Sequence, residues 1–408
     1  MLEKKKVLYI TYDGLTDPLG RSQIIPYLVG IAFAGYEVTI LSCEKRSAYR
    51  SKKKTVKKIL KLSNIKWKKR FYTKKPPVVS TLWDLYSMKV KADALHAKHN
   101  FHIIHCRSIL GAWVGRKLRG EHTKLVFDIR GFWADERVEG GLWDLNSKVY
   151  KRVFQYFKNL EVQLFNESDH IVTLTKKAKK LILKKHSRLK AADISVIPCS
   201  VEMLSFDPKN IDQDKASEKK KLLGILPHDF ILGYVGSFGT RYMAREMLQF
   251  YAELKKTVPN AKLLLISNGG EESVLQHAAE MGVDNSVLVY KADYAEMPLL
   301  ISLFDAAVYF IKTGLSGAAV SPTKQAEILA MGKPIVSNRG IGDSDVLFEK
   351  YQCGTLLEDF SASSIQAAVD ELKLLLHKDA EEFRKVAEAE LSAKSAVEKY
   401  LALYQQLD

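Results

Sequence analysis

The sequence predicts an α/β protein of two domains, each a parallel sheet with crossover helices, and three observations predict it. Short apolar runs alternate with helical patterns in one series over residues 1–200 and in a second over 201–394. The charge divides at the same place. Residues 1–200 hold 41 Lys/Arg against 17 Asp/Glu and residues 201–408 hold 22 against 30, so a basic half that should meet something anionic precedes an acidic one. At 408 residues the chain is long enough for two separate cores.

Composition narrows the class. A hydrophobic content of 47% with 27% charged residues is an ordinary soluble balance. No apolar run reaches the length of a membrane span, and MLEKKKVLYITYDG lacks a signal-peptide profile, so the start reads as a first strand and a cytoplasmic location is expected. Cys43, Cys106, Cys199 and Cys353 stand far apart with no Cys-x-x-Cys pair, which argues for a reduced protein without structural zinc.

In the first series, Val7–Thr11 and Glu37–Ser42 read as buried strands around a helix over Ser22–Ala34; Pro26 fits only in a first turn. The connecting loop DGLTDPLGR, residues 13–21, carries Gly14 and Gly20 into a helix N-terminus, where a phosphate or sugar could approach the backbone. The spacing is not G-x-G-x-x-G, and no acidic residue stands in the ribose-binding place before Cys43. From Lys45 to Lys75 there are fifteen Lys/Arg and no acid. Tyr49, Val56, Ile59 and Leu60 fall at helical spacing there, predicting a basic amphipathic helix, followed by Trp67, Phe71 and Tyr72. Such a block fits a membrane interface, nucleic acid or a plain solvated face; no RNP, zinc-finger or helix-turn-helix signature supports nucleic acid. Lys176–Lys190 repeats the basic pattern.

Strands resume at His102–Cys106, Leu125–Ile129, Ile171–Leu174 and Ser195–Ile197. Ligands of an open parallel sheet lie at the carboxyl ends of strands. Those ends read His105-Cys106-Arg107-Ser108 and the run from Asp128 to Glu136, which crowds Asp128, Arg130, Trp133 and Glu136 into one loop. His105 reads equally as a half-buried structural histidine or as a substrate contact.

The second series predicts strands at Ile231–Val235, Lys262–Ser267, Val287–Tyr290, Ala307–Ile311, Lys333–Ser337 and Gly354–Leu357, a second Rossmann-like sheet. The turn GYVGSFGTRY places Gly236, Ser237 and Gly239 after its first strand. In SPTKQAEILAMGKPIVSN, residues 321–338, Ser321 caps a helix, Pro322 takes its first position, and Gly332 with Pro334 ends it after Met331. Thr323, Lys324 and Glu327 share one face, with Ala326, Leu329 and Ala330 packed opposite. A helix N-terminus with a lysine in its first turn suits a phosphate, and a carboxylate one turn on suits a ribose diol. An ordinary capped core helix has the same spacing. Asp343-Ser344-Asp345 has the form of a metal-binding Asp-x-Asp, but its Gly-rich turn before VLFEKY reads as a helix cap and first-turn acid, so no metal is expected. Ser395 to Glu398 forms a capping box opening a last helix through Leu407.

Together these stretches resemble the retaining glycosyltransferase family 4 of GT-B fold, on its bacterial surface-polysaccharide branch. TYDGLTDPLGRSQIIPYLVGIAFAGYEVTILS is similar to the opening of that branch and the loop 128–136 to its acidic-x-arginine-x-x-tryptophan loop. VIPCSVE resembles the interdomain connector, GYVGSFGTRY the phosphate loop, SPTKQAEILAMGKP the donor helix and VEKYLALYQQL the last helix. The resemblance implies two Rossmann-like domains with parallel sheets facing across a cleft. Residues 1–200 would bind acceptor, with 395–408 packing back on them, and 201–394 would bind a nucleotide sugar.

It implies donor contacts from Gly20, Arg21, Gly236, Ser237, Arg241, Ser321, Thr323, Lys324 and Glu327. Acceptor contacts would come from Asp13, His105, Arg107, Trp133 and Glu136, and catalytic roles would fall to Asp128, Arg130 and Lys324. Two positions depart from the family pattern: the second donor-helix glutamate is Ala319 here, and the phosphate-loop lysine is Tyr242, leaving Arg241 or Lys324 to carry its charge. The implied reaction moves a hexosyl or related group from a UDP- or GDP-type sugar, without metal or cofactor and with retention. Its acceptor would be a glycan or lipid-linked molecule in bacterial cell-surface polysaccharide synthesis. The enzyme would be peripheral on an anionic membrane, with no nucleic-acid partner. A sugar-nucleotide epimerase of the same fold and a non-catalytic membrane-surface binding protein are the rival readings.

Overall fold

Thirteen parallel strands fall into two sheets in the computed structural model, which describes residues 4–76 and 78–407. The chain divides into two compact units. One runs up to Pro198 and takes back the stretch from Ala393 onward; the other is Cys199–Ser392.

The first unit holds β1 (Lys6–Thr11), β2 (Glu37–Glu44), β3 (Lys66–Phe71), β4 (Ile103–Arg107), β5 (Lys124–Asp128), β6 (His170–Thr173) and β7 (Ile194–Val196). Their order is β3-β2-β1-β4-β5-β6-β7, so the direction of winding reverses between β1 and β4. Ligand crevices of open α/β sheets form beyond the carboxyl ends of strands at such a reversal. Here those ends deliver Tyr12 and Asp13 after β1, Arg107 and Ser108 at β4, and Arg130 after β5.

Three sequence expectations change. The helix expected over Ser22–Ala34 is two helices, Pro18–Gln23 and Ile25–Phe33, with Ile24 between them off the helical basin at φ −127°. Pro26 then lies in the first turn of the second helix, where its missing N–H removes no bond. β3 was not foreseen. Its sequence KWKKRF alternates weakly because lysines occupy the exposed edge, a common protection against edge-to-edge pairing. Glu44 ends β2 and is fully buried, its carboxylate accepting from Leu15 N–H (2.7 Å) and from the Thr16 hydroxyl (2.5 Å). The acid beyond Cys43 therefore serves the Gly14 loop.

The last helix, Ala393–Gln406, begins before the capping box expected at Ser395 and belongs to the first unit. Its Tyr400, Leu403 and Tyr404 are buried with the residues of β1 and of the helix Ile25–Phe33. Gly30 permits this approach, since a Cβ there would lie 2.6 Å from a Val397 methyl.

The second unit orders its strands β10-β9-β8-β11-β12-β13, namely β8 (Phe230–Val235), β9 (Ala261–Ile266), β10 (Val287–Tyr290), β11 (Ala306–Val308), β12 (Ile335–Asn338) and β13 (Gly354–Leu357). Winding reverses between β8 and β11, whose carboxyl ends carry Gly236 and Tyr309. The Asn338 side chain ties the end of β12 to the chain beyond β11: its Oδ1 accepts from Ile311 N–H (2.9 Å) and its Nδ2 donates to Ile311 C=O (3.0 Å).

Candidate functional site

In the second unit the site is built on the helix Thr323–Ala330, which is buried nearly all round rather than on one face. Pro322, not Ser321, is the N-cap residue; the Ser321 hydroxyl instead accepts from Cys199 N–H (3.0 Å), which pins the helix start to the connector. Thr323 opens the helix half-buried, and first-turn N–H groups such as its own have no acceptor inside a helix. Lys324 follows, only 7% exposed, and its Nζ has no hydrogen-bond partner. It lies instead over aromatic faces, 4.0 Å from the ring centres of Tyr234 and Tyr242 and 5.8 Å from that of Tyr309. Burial pushes its pKa down to about 7 against the pull of Glu327.

Gly236 closes the approach on the strand side. It has φ +122°, a region L side chains avoid, and a Cβ there would come within 3.1 Å of Lys324 Nζ. Ser237 beside it is exposed, and its carbonyl accepts from Tyr234 OH (3.3 Å). Glu327, one turn after Lys324, is 4% exposed. The Tyr294 hydroxyl bonds to its carboxyl while Oε1 has no partner, and burial raises its pKa to about 7. Two opposite charges are thus buried incompletely satisfied, an arrangement that is costly unless a ligand completes it. Arg241 donates to Ser316 Oγ (3.0 Å), while Lys324 Nζ faces the Gly236 turn. Ala319, at the departed glutamate position, is buried in a short 3-10 turn. Asp345 accepts from Gly340 N–H (3.1 Å), and among the described residues no cluster of three or more His, Cys, Asp or Glu could hold a metal.

The residues of the first unit gather around a cavity of about 410 Å³. Asp13, Arg107, Arg130, Trp133 and Glu136 all line it, together with Tyr12, Tyr72, Trp143, Tyr150 and Phe157, which sequence reasoning had not assembled. Arg107 donates to Asp13 Oδ2 (3.2 Å). Trp133 packs on Phe157 (ring centres 4.8 Å apart) and Trp143 (5.2 Å), with Arg137 over its face at 4.9 Å. Backbone strain converges on the same place. Of the six non-glycine residues with positive φ among the described residues, Asn64, Asn100 and Gln352 follow helix ends, where the left-handed conformation is a usual stop. The other three, Val78 (φ +66°), Ser108 (+64°) and Arg130 (+54°), all line this cavity. Strained backbone of this kind is concentrated at functional sites. Gly131 beside Arg130 has φ +132°, and a Cβ there would lie 2.4 Å from Glu136 Oε1, so only glycine lets that carboxylate approach.

Asp128 and His105 are not on the cavity. Asp128 is fully buried and accepts from Tyr400 OH (2.9 Å), with Arg130 Nη1 at 3.8 Å. His105, 1% exposed, meets Tyr404 OH through Nδ1 (2.7 Å) and lies 3.6 Å from Asp128 through Nε2. Both groups face the last helix, whose tyrosines at i and i+4 supply the hydroxyls. Burial lowers the His105 pKa despite Asp128. Against the opposing effect of burial, Arg130 and His105 hold Asp128 below its usual range. At Gly20 a Cβ would lie 2.2 Å from Gly14 C=O, so the loop packs against its own backbone there only because the residue is glycine. Arg21 sits half-buried in the last turn of Pro18–Gln23.

If Glu327 takes a ribose diol, as the resemblance implies, one outcome is expected. Glu327→Gln should weaken binding of a free nucleoside diphosphate about tenfold to hundredfold, the worth of one charge-assisted hydrogen bond. Calorimetric titration of a folded variant with unchanged affinity would remove Glu327 from the site.

The sequence matches the family described as Glycosyltransferase Family 4 over residues 28–203 and that described as Glycosyl transferases group 1 over residues 215–390. No individually curated protein matches it. Solved structures similar over nearly the whole chain include a glycosyltransferase from Rickettsia africae, 17% identical with a TM-score of 0.69, covering 99% of this chain and 98% of that one. Sucrose-phosphate synthase from Thermosynechococcus elongatus is 16% identical, with a TM-score of 0.71 and 99% of each chain covered. Anabaena HepE in complex with UDP-glucose is 13% identical with a TM-score of 0.72, covering 98% of this chain and 99% of that one. At such identities these structures establish the fold, and the two family matches carry the relationship in sequence. With those two domains in tandem on two parallel sheets, the chain belongs to the GT-B glycosyltransferases of the family-4-like type.

Proposed function

We propose that the protein transfers a hexosyl or related group from a UDP- or GDP-type sugar to a glycan or lipid-linked acceptor, with retention and without a metal, in bacterial cell-surface polysaccharide synthesis. The observation that carries this reading is the buried Lys324, without a hydrogen-bonding partner and beside Gly236, with Glu327 one turn on. A diphosphate at the Gly236 turn would give the ammonium its missing acceptor, and a ribose diol would donate to the Glu327 carboxylate. As the bond from the anomeric carbon to the phosphate oxygen lengthens, charge gathers on the leaving diphosphate. Lys324 and the helix N-terminus are placed to stabilise it. The bound UDP-glucose in Anabaena HepE supports a uridine nucleotide as the first donor to try.

The acceptor would occupy the first-unit cavity, with Arg107 and Arg130 on its polar groups and Trp133 against a sugar face. Asp128, being buried, would act through Arg130 as a positioning residue. Titrating the protein with a panel of nucleotide sugars, then assaying transfer with chelator present, tests the reading. No binding by any nucleotide sugar overturns it, and an epimerised nucleotide sugar formed without acceptor favours the epimerase.

The membrane partner rests on a surface whose composition differs from expectation. In the basic block, Tyr49, Trp67 and Phe71 pack among themselves under Arg46 and Lys69. The exposed apolar residues lie instead on the next helix, Val79–His99, where Val79, Leu82, Trp83, Tyr86 and Val90 form one stripe at helical spacing. Beside it in sequence, the helix Arg46–Leu62 exposes Lys54, Lys57, Lys58 and Lys61. Among the described residues no helix is long and apolar enough to cross a membrane. Changing Lys52, Lys53, Lys54, Lys57 and Lys58 together to Gln should release the protein from anionic vesicles, at about 1 kcal/mol per basic residue near such a surface. Equal sedimentation of parent and variant with vesicles at low salt would contradict a membrane role.

A further inference from the structure

Lys324 is held by three tyrosines, each fixed independently of it. Tyr234 stacks on Phe238 with ring centres 4.3 Å apart and donates to Ser237 C=O. Tyr242 meets Tyr234 edge-on at 5.9 Å, and its backbone bridges to Ile311 beyond β11. Neighbouring bonds fasten the same segment: Met243 N–H donates to Phe310 C=O (3.0 Å) and Lys312 N–H to Arg241 C=O (2.8 Å). Tyr309 OH donates to Gln325 Oε1 (2.8 Å), which also accepts from Ser344 Oγ (2.6 Å), so this ring is fastened to the residue next to Lys324. The rings were therefore in place before any ligand, which is the requirement for holding a charged group at a defined point.

We propose that Tyr242 is a positioning residue for Lys324, completing with Tyr234 and Tyr309 an aromatic cage that keeps the ammonium dry and aimed at the Gly236 turn until a diphosphate binds there. The proposal rests on the donor-site reading above. Its physical basis is that a lysine removed from water needs a substitute for hydration. The electron-rich faces of two rings at 4.0 Å supply one without supplying a competing anion. A carboxylate in the same place would stay bound to the lysine and oppose the incoming phosphate. Among the described residues, Glu327 is the acid that acts on Lys324, and Arg241 the cation that acts on Tyr242. The tyrosine hydroxyls remain neutral, because burial raises the pKa of all three. The cage thus has faces to offer the ammonium but no charge of its own.

The test compares Tyr242→Phe, which keeps the ring, with Tyr242→Leu, which keeps an apolar filler and removes the face. In the ligand-free full chain, the pH dependence of trace acetylation at Lys324 is followed by mass spectrometry against exposed lysines. Parent and the Phe variant should titrate alike, below the exposed lysines. The Leu variant should shift lower still, by about half to one and a half pH units, the range expected on losing one desolvated cation–π partner. UDP affinity near neutral pH should hold within about twofold in the Phe variant. In the Leu variant it should fall about 3–30-fold, and by more at pH 8 than at pH 6.5. Coincident titration curves in all three proteins overturn the cage, as does a Phe variant that loses as much as the Leu variant. If the parent binds neither UDP nor GDP, the donor-site reading fails instead, and the acetylation arm still decides whether the cage holds the lysine.

Discussion

Replacing Lys324 by alanine is expected to lower glycosyl transfer by about 10²–10³-fold, the scale for losing one preorganised group that stabilises developing charge. Donor affinity should fall by less, because charge on the diphosphate grows as the glycosidic bond breaks, and the ammonium gains more there than in the ground state. The side chain sits with its Nζ 4.0 Å from two ring centres, a pocket that fits a compact ammonium. Lys324→Arg should therefore recover little, since a planar fork cannot stand in that place. pH gives an independent reading. With its pKa near 7 in the empty protein, Lys324 loses its proton above neutrality, whereas a bound phosphate would hold the proton on. The Lys324 contribution to nucleoside-diphosphate affinity should accordingly weaken as pH rises from about 7, and the alanine variant should keep only the opposite trend of Glu327, which gains its charge over the same range. Turnover and donor affinity falling in equal proportion, with kcat intact at saturation, would make Lys324 a binding residue only.

How much of this was legible in the sequence depended on whether a signal was local. The strands of both sheets were readable because buried parallel strands are short continuous apolar runs; KWKKRF at β3 was not, because its lysines sit on an exposed edge. Lys324 and Glu327 stood out from their spacing on one helix, a spacing an ordinary capped helix shares. The cage around Lys324 was not, since Tyr234, Tyr242 and Tyr309 come from three segments that only the strand order β8–β11 brings together. The Asp128 loop was recognised from its crowding of charge and aromatics, yet the direction of Asp128 itself was hidden. Its partner, Tyr400, lies 272 residues away on the last helix. The strain at Val78, Ser108 and Arg130 leaves no mark in composition at all; only the backbone shows that three unusual residues line one cavity.

Asp128→Ala is expected to cost about 3–5 kcal/mol of unfolding free energy, the scale for removing one member of a buried charge pair. The carboxylate is fully buried, Tyr400 OH donates to it at 2.9 Å, and the Arg130 guanidinium, 6% exposed, lies 3.8 Å away. Removing it takes a carboxylate from beside that cation and from the neutral His105. Asp128→Asn keeps an acceptor for the tyrosine and loses only the charge, so it should fall between parent and alanine variant. The sign of the pH dependence follows from the depressed folded-state pKa. Stability from Asp128 is fully present above its unfolded value near 3.8 and is lost as pH falls through the lower folded value, so parent and variant should converge in strong acid. Burial also keeps His105 neutral, which contributes stability above its unfolded value of 6.5 and loses it below; Asp128 opposes that lowering, so the loss is larger in the variant. Urea unfolding followed from pH 7 into strong acid separates the two, because the gap between parent and variant should widen below 6.5 and narrow below 3.8. Transfer should be largely lost in the Asn variant, with nucleotide affinity unchanged, since the proposed donor helix with Lys324 and Glu327 belongs to the other unit. An Asn variant as stable as the parent and near-normal in transfer would show that Arg130 needs no counter-charge there. It would also leave Asp128 with no part in holding Arg130 on the cavity wall.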